Sequence, residues 1–378
     1  MNVGIVVPGF SADESDWCIP ALRNLVQRLA LTDDVRVLAM RYPAPARRYR
    51  VVGAEVAALG GGTAGRQRSA GLWARAIAQI AAAHRHRRFD VLHAFWANEA
   101  GAVTALAGRL LDIPTVVSLA GGELVAFRDI GYGGQLARTE RAKVLVALRL
   151  ASAVTAGSAA MLRLARPWIE SRERSRVERV PLGVDVCAFQ PPREHRSSGP
   201  AVLVHVASLV PVKDQRTLLS AMALLRRGGY PCTLEIAGNG SEELPLRRLA
   251  TDLGLDGSVQ FLGAVRHDAL PSLYRRASVF VLSSRHEAQC MAALEAAACG
   301  IPVAGTAVGI VPELSPSGAV SAPLACARAL ADGIAGLLQD PRRRREMGLA
   351  AREYVEAEYS LARCVERFHA CYAAISRT

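Results

Sequence analysis

Two glutamates bracket a short segment that could bind an anion. Glu287 and Glu295 are separated by seven mostly small residues, just after an apolar, strand-like run. Small residues at the N-terminus of a helix leave backbone N–H groups open to an anion, which the helix dipole also favours. If the segment were all helical, the two carboxylates would lie roughly 12 Å apart. Since carboxylates accept hydrogen bonds from hydroxyl groups, they could hold the two ends of a sugar nucleotide.

The surrounding chain alternates strand and helix signals in two rounds, on either side of a polar, proline-rich stretch at 190–200. This alternation predicts an α/β fold with two Rossmann-like, doubly wound parallel-sheet domains. Ligands of such sheets bind beyond the carboxyl ends of the strands, so we expect the active-site cleft between the halves. The predicted domains are residues 1–190 and 191–358, followed by a C-terminal helix at 359–378.

The sequence also predicts the structure of two further segments. Residues 41–70 are rich in arginine, glycine, proline and alanine, which predicts a long, mobile excursion. Helical patterns at about 323–338 and 341–372 close the chain.

Length and composition narrow the class of protein. The 378 residues suit two domains, and 51% hydrophobic with 21% charged residues is typical of a globular chain. The apolar runs are strand-sized, far short of the roughly 20 residues of a spanning helix. The first residues lack the pattern of a signal peptide, so we expect a cytoplasmic protein. Eight cysteines without any C-x-x-C spacing indicate buried, reduced thiols.

The net charge of +12 falls mainly in the first half, where 25 Lys and Arg face 16 Asp and Glu in residues 1–190. Such a surplus could contact nucleic acid, an anionic membrane or an acidic substrate, or could be an ordinary solvated face. Nucleic acid is the weakest of these because no reading helix or stacking motif accompanies the charge. A peripheral position at the inner face of the membrane is a further hypothesis.

An ordered set of motifs resembles the retaining GT-B glycosyltransferases of family 4 (glycosyl transferases group 1). The Glu-x7-Glu pattern alone is weak evidence, but the ordered set covers nearly the whole chain. The other matching segments are Ala207–Asp214, Phe261–Val265, Cys299–Val303, Gly309 with Pro312–Leu314, and Glu358–Ser360. The resemblance implies transfer of a sugar from a nucleotide diphosphate to an acceptor hydroxyl with retained configuration, as in polysaccharide or glycolipid biosynthesis.

The resemblance also implies roles for individual residues. Glu287 would bind the donor sugar hydroxyls, Lys213 the diphosphate and Glu295 the ribose, with Glu287 and Lys213 as the catalytic pair. The other predicted donor-binding residues are Gly9, Phe10, Gly121, Gly122, Glu123, Ser208, Gln289, Cys290 and Met291.

The acceptor, which could be lipid-linked, would lie against the first half. His93, at a strand end, is interpreted as structural more than catalytic, yet stays an acceptor-side candidate with Arg47, Arg48 and Arg66. An exposed loop explains the arginines equally well.

Four departures from the family pattern concern the donor site. Ser208 stands at a usual arginine, Ala120 at a usual histidine, Gln289-Cys290 at an aromatic residue and glycine, and Ile310 at a glycine. No Asp-x-Asp triplet occurs in the chain, so we expect neither a metal nor another cofactor.

Two other functional classes stay open at this stage. A sugar-nucleotide 2-epimerase shares the two-domain architecture, although its motif set is not found here. A non-catalytic, sugar-nucleotide-binding relative would follow if Ala120 and Ser208 had abolished activity. Donor hydrolysis with product analysis separates these from the transferase.

Overall fold

The computed structural model describes residues 1–62, 66–169, 176–192 and 199–376, with the side chains of 66–69 outside the description. Contacts between residues divide the chain into two compact units. The first unit contains Met1–Gly183 together with Leu361–Thr378, and the second contains Val184–Ser360.

The first unit is built on an eight-stranded sheet in the order β3-β4-β2-β1-β5-β6-β7-β8, parallel except for the β3–β4 pair. The first strand has β2 on one side and β5 on the other, so the direction of chain progression reverses there. The strands are β1 (Asn2–Gly9), β2 (Asp34–Tyr42), β3 (Arg47–Val51), β4 (Ala54–Ala58), β5 (Val91–Phe95), β6 (Thr115–Leu119), β7 (Ala153–Ala156) and β8 (Arg176–Arg179).

Helices cover this sheet because successive strands run parallel and need crossover connections. The central strands β1, β5, β6 and β7 are almost fully buried, as their continuous apolar runs require. The helices are α1 (Pro20–Leu29), α2 (Arg66–His86), α3 (Glu99–Leu111), α4 (Arg138–Leu150) and α5 (Ala159–Ile169).

The expected mobile excursion at 41–70 is wrong for most of its length. Residues 47–58 form an antiparallel hairpin on the edge of the sheet, closed by the two-residue turn Val52-Gly53. Both turn residues have positive φ, 46° and 81°, as a type I′ turn requires. The strand signal was hidden because β3 is an arginine-rich edge strand, a composition that protects an edge from further pairing.

The second unit contains a six-stranded, all-parallel sheet in the order β11-β10-β9-β12-β13-β14. Its strands are β9 (Ala201–Val206), β10 (Cys232–Ala237), β11 (Val259–Gly263), β12 (Val279–Leu282), β13 (Val303–Thr306) and β14 (Ala319–Ala322). Its helices are α6 (Gln215–Arg227), α7 (Glu243–Asp252), α8 (Leu270–Arg275), α9 (Met291–Ala298), α10 (Val311–Leu314), α11 (Ala327–Gln339) and α12 (Pro341–Tyr359).

The single helix expected at 341–372 is two helices. Ser360 has extended backbone angles (φ −62°, ψ 144°), which end α12 and allow α13 (Leu361–Ser376) to begin. α13 packs on the first unit, where Phe368 and Tyr372 are fully buried. Ser360 itself forms a parallel bridge to Val184, so the break lies where the chain leaves the second unit.

The second unit begins earlier than residue 191. Val184 and Phe189 are both 2% exposed and belong to the apolar core of that unit. The segment is held against α12, because Val184 N donates to Tyr359 O at 2.8 Å and Phe189 O accepts from Arg352 Nη1 at 3.1 Å. Residues 193–198 of the predicted linker lie outside the described ranges. Within those ranges, no helix is long and apolar enough to cross a membrane.

Candidate active site

The chain reverses its order of strands between β9 and β12, which are neighbours in the second sheet. Loops that follow two such strands diverge and leave a crevice, the usual place for a ligand in an open α/β sheet. Lys213 lies in a short 3₁₀ turn (Pro211–Lys213) after β9, and Glu287 lies in the loop after β12.

Lys213 and Glu287 meet at this position. Lys213 Nζ lies 2.6 Å from Glu287 Oε1, which also accepts a hydrogen bond of 2.6 Å from Ser284 Oγ. The side chains are 22% and 10% exposed. The predicted diphosphate cation and the predicted sugar carboxylate are therefore brought together, and each lowers the cost of placing the other in a partly desolvated site.

Backbone contacts tie the two loops to each other. Arg285 N donates to Val212 O at 2.8 Å, and Ser283 Oγ donates to Lys213 O at 2.9 Å. The turn continues into α6 through Asp214, whose left-handed backbone (φ 47°) and side chain cap the helix by accepting from Thr217 N. The position of the lysine is thus fixed by both flanking loops.

A buried histidine and a buried glutamine support the loop that carries Lys213. His205 Nδ1 lies 2.9 Å from Val281 O; since a carbonyl only accepts, Nδ1 carries the proton. His205 Nε2 then accepts from Gln215 Nε2 at 3.3 Å, and the same amide donates to Ser208 O at 3.1 Å. Burial lowers the pKa of His205 to about 4, so the ring is neutral. Ser208, the residue at the usual arginine, is exposed on this supported loop.

Glu295 lies on α9 and is 6% exposed. Its Oε1 is 3.0 Å from His267 Nε2, and its Oε2 accepts from the buried Tyr274 hydroxyl at 3.1 Å. Burial raises the pKa of Tyr274 well above its usual value, so the phenol keeps its proton and donates. Neither His267 nor Tyr274 was expected from the sequence. The position of His267 shortly after β11 is the signal that could have found it, because polar residues there belong to the ligand-binding edge.

The loop from Gln289 to Met291 turns sharply into α9. Cys290 has φ 81° and ψ 78°, a conformation that costs a non-glycine residue roughly 1–3 kcal/mol. Ile310 N donates to Gln289 O at 3.0 Å. A Cβ on Gly309 would lie 2.5 Å from Gln289 O, so only glycine lets the two loops approach this closely. Burial raises the pKa of the Cys290 thiol, which excludes it as a thiolate nucleophile.

In the first unit the predicted donor-side residues form two loops. Gly9 ends β1, and Phe10, only 1% exposed, points its ring into the core, so only its backbone is available to a ligand. Glu123 is 5% exposed and turns back on its own loop. Its oxygens accept from the backbone N–H groups of Ala97, Ala120 and Gly121 at 3.3, 3.2 and 2.8 Å.

This geometry makes Glu123 a residue that shapes the loop instead of one that contacts a donor. Burial raises its pKa, while the N–H groups that it accepts from lower it. Gly122 has a separate reason for its identity, because a Cβ there would lie 2.7 Å from the ring of Tyr132.

The acceptor-side candidates are dispersed. His93 is fully buried: Nδ1 is 2.7 Å from the Tyr372 hydroxyl, Nε2 is 2.7 Å from Ser118 Oγ, and burial lowers its pKa to about 3. Its inclusion on the acceptor side is therefore a correction, since an unexposed ring cannot meet an acceptor.

Arg47 and Arg48 lie on the edge strand and point to opposite faces. Arg47 Nη2 donates to Ala12 O at 2.9 Å and Arg48 Nη2 to Gln79 Oε1 at 2.8 Å. They are ordered strand residues, not members of a mobile loop. The side chain of Arg66 lies outside the described part of the chain, as does that of Arg68.

No group of three or more His, Cys, Asp or Glu side chains that could hold a metal ion occurs in the part of the chain that is described. The expected independence of metal stays a prediction.

Comparison with known proteins gives two family matches. Residues 189–354 match the family described as Glycosyl transferases group 1, and residues 19–183 match the Glycosyl transferase 4-like domain. Among curated proteins, the chain is 33% identical over 201 residues to a GDP-mannose-dependent monoacylated alpha-(1-6)-phosphatidylinositol monomannoside mannosyltransferase of Corynebacterium glutamicum. It is 34% identical over 201 residues to a GDP-mannose-dependent alpha-(1-6)-phosphatidylinositol monomannoside mannosyltransferase of Mycobacterium tuberculosis. These matches cover 48% of this chain and 52% of each relative, so the chain spans about half the length of the curated relatives it matches.

Solved structures extend the likeness to the whole fold. Sucrose-phosphate synthase from Thermosynechococcus elongatus superposes with a TM-score of 0.81 at 19% identity, covering 99% of both chains. Anabaena HepE in complex with UDP gives 0.74 at 18% identity, covering 99% of this chain and 100% of the other. The two matches and these folds agree with the ordered motifs, and the chain belongs to the group 1 glycosyltransferases of the GT-B fold.

Proposed function

We propose that this protein transfers a sugar from a nucleotide-diphosphate donor to an acceptor hydroxyl with retention of anomeric configuration. The observation that carries the proposal is the Lys213–Glu287 pair, 2.6 Å apart, at the point where the second sheet reverses its strand order. One member is suited to phosphate oxygens and the other to sugar hydroxyls. In this proposal the second unit (Val184–Ser360) binds the donor and the first unit binds the acceptor.

The proposed transfer proceeds directly from donor to acceptor, without a covalent intermediate on the protein. The bond between the anomeric carbon and the β-phosphate oxygen breaks, and the acceptor oxygen bonds to the same carbon on the same face. The acceptor proton passes to the departing diphosphate. Lys213 stabilises the charge that develops on this diphosphate, and the backbone N–H groups of Gln289 to Met291 are proposed to assist.

Glu287 has the complementary task of orienting the donor sugar. Its Oε1 is already occupied by Lys213 and Ser284, so the carboxylate is held in one orientation before a sugar arrives. A fixed acceptor of hydrogen bonds lowers the entropic cost of reaching the reactive geometry.

Glu295 is proposed to bind the donor ribose, and Glu295→Ala is expected to weaken donor binding. Loss of a charged hydrogen bond costs about 1.5–3 kcal/mol, so the donor Kd from calorimetry should rise roughly ten- to a hundredfold. Tyr274→Phe is the matched control, since it removes one hydrogen bond to Glu295 but keeps the carboxylate. An unchanged Kd in folded Glu295→Ala would contradict the assignment.

Metal independence leads to a separate expectation: activity of the purified protein survives EDTA. The reasons are the lack of an Asp-x-Asp triplet in the sequence and the use of Lys213 in place of a metal at the diphosphate. Rates before and after chelation measure it. Inactivation by EDTA that manganese specifically reverses would contradict the proposal.

A lipid-linked acceptor is proposed because both mannosyltransferase relatives act on phosphatidylinositol mannosides by name. The surplus of positive charge in residues 1–190 supports peripheral contact with an anionic membrane, where each basic residue contributes about 1 kcal/mol. Co-sedimentation with anionic and with neutral vesicles measures this contact, and equal pelleting with both would exclude it.

The proposed activity is tested by incubating the protein with GDP-mannose, UDP-glucose or UDP-N-acetylglucosamine and analysing the products by mass spectrometry. A free or transferred sugar together with the nucleoside diphosphate supports transfer. An epimerised donor, or bound donor that stays intact with every acceptor offered, would overturn it.

A further inference from the structure

A cavity of about 410 Å³ lies in the first unit, between one face of the sheet and α2. It is separate from the residues discussed above for donor binding. Its volume falls within the roughly 300–1,000 Å³ of small-molecule sites.

The strand register explains why space is left there. Gly4 pairs with Arg36, and Leu38 pairs with Ala57, so these side-chain positions point to the same face. Ala57 has a single methyl group, and α2 contributes Ala83 to the lining. The space beside Gly4 is filled by neighbouring side chains, since a Cβ there would lie 2.6 Å from Leu92 Cδ2. The cavity therefore lies where two alanines line it, while neighbouring positions of the same core carry Leu, Ile and Phe.

The interior of the cavity is apolar. Val6, Leu38, Ile80 and Leu92 contribute to the lining, and the backbone polar groups of the parallel strands are used in the sheet. Arg36 also lines the cavity. Its Nη1 and Nη2 donate to Ala83 O and Arg87 O at 3.0 and 2.9 Å, its guanidinium stacks 3.8 Å from the Phe89 ring centroid, and its Nε lies 3.8 Å from Asp34 Oδ2. An occupant of the interior therefore meets a mainly apolar lining.

The mouth is cationic. Arg48 and Arg50 are exposed on the same face of β3 and line the cavity beside Glu55. Arg48 Nη2 donates to a neutral amide, that of Gln79, and Arg50 Nη2 donates to the backbone oxygen of Gly53 at 3.5 Å. Neither guanidinium forms an ion pair with a residue that the structure describes.

We propose that this cavity binds the acyl chain of an anionic lipid, with the head group held by Arg48 and Arg50. An apolar interior favours a hydrocarbon chain, and exposed cations without carboxylate partners favour a negative head group. The proposal goes beyond sugar transfer, because it requires only binding and places the lipid chain at residues that make no contribution to the donor site.

The test uses laurate, an anionic twelve-carbon amphiphile, in calorimetric titrations below its aggregation concentration. Ala83→Leu fills the cavity from α2 and is expected to weaken laurate binding by at least about tenfold, or 1.4 kcal/mol. Ala82→Leu is the matched control: it adds the same side chain to the adjacent, exposed position of the same helix and should leave Kd unchanged. Thermal unfolding of both variants verifies that each is folded.

Variants that remove a single positive charge test whether arginine side chains hold the head group. Arg50→Gln is expected to weaken laurate binding several-fold and to reduce its salt dependence, whereas Arg47→Gln, on the opposite face of the same strand, should do neither. Dodecanol should bind wild type and Arg50→Gln equally.

Failure to observe saturable laurate binding, or equal weakening by Ala83→Leu and Ala82→Leu, would overturn the proposal. Because no sugar nucleotide is present, a negative result for glycosyl transfer would leave this outcome unaffected.

Discussion

Replacing Lys213 by arginine is expected to lower kcat/KM at least about 100-fold, nearly as much as replacing it by methionine, although arginine keeps the charge. A factor of 100 corresponds to about 2.7 kcal/mol of lost transition-state stabilisation. Lys213 is held in a turn that begins at Pro211 and ends at the left-handed Asp214, with its ammonium 2.6 Å from Glu287. A compact ammonium fits this position, whereas the broader, planar guanidinium would have to displace Glu287 or the bound phosphates.

Composition supports the same conclusion. The chain has 46 Lys and Arg, of which only Lys143 and Lys213 are lysines. Where charge alone suffices, this sequence uses arginine, so a lysine at the diphosphate position indicates a requirement for its shape.

The other lysine provides a matched control. Lys143 pairs with Glu140 at 2.5 Å on α4, and its side chain is 23% exposed, against 22% for Lys213. Steady-state kinetics of Lys143→Arg should match wild type. Activity in Lys213→Arg but not in Lys213→Met would show that charge is sufficient and would refute the argument from shape.

Glu287→Gln is expected to reduce kcat by roughly 100-fold, about 2.7 kcal/mol, with a smaller change in donor Kd. The amide keeps the size of the side chain and can still accept from Ser284, but it no longer neutralises Lys213 or offers a charged acceptor to the sugar. Because positive charge develops on the sugar in the transition state, a charged acceptor beside the sugar contributes more there than in the ground state, so the loss should fall on turnover.

Glu235→Gln is the control for this substitution. Glu235 also belongs to the second unit, pairs with Arg276 at 2.7 Å and has a 14% exposed side chain, close to the 10% of Glu287. Its replacement should leave both kcat and the single-turnover rate unchanged. Wild-type turnover in Glu287→Gln would refute the catalytic role of that carboxylate.

Patterns that depend on strand order were predictable from the sequence. Lys213 and Glu287 each follow an apolar strand, and parallel strands present their carboxyl ends on one edge, so their approach could be anticipated although 74 residues separate them. The two rounds of strand and helix alternation, on either side of the stretch at 190–200, correspond to the two sheets.

Features that depend on side-chain direction were not predictable. Glu123 follows two glycines in a loop that the sequence assigns to donor binding, yet its carboxylate accepts from three backbone N–H groups of the first unit. His267 and Tyr274 are distant from Glu295 in sequence and reach it only through the packing of α8 against α9. The β3–β4 hairpin was not predicted because β3 is rich in arginine. A search for apolar periodicity alone assigns such a segment to a loop.

The departure of α13 from the second unit has a consequence for biosynthesis. The apolar core of the first unit includes Phe368, Tyr372 and Ile375, which leave the ribosome after the entire second unit has been made. Until then the His93 ring lacks its Tyr372 partner, and the face that α13 will cover is open to water or to chaperones. The amino-terminal unit, although translated first, is therefore the last of the two to complete its native packing.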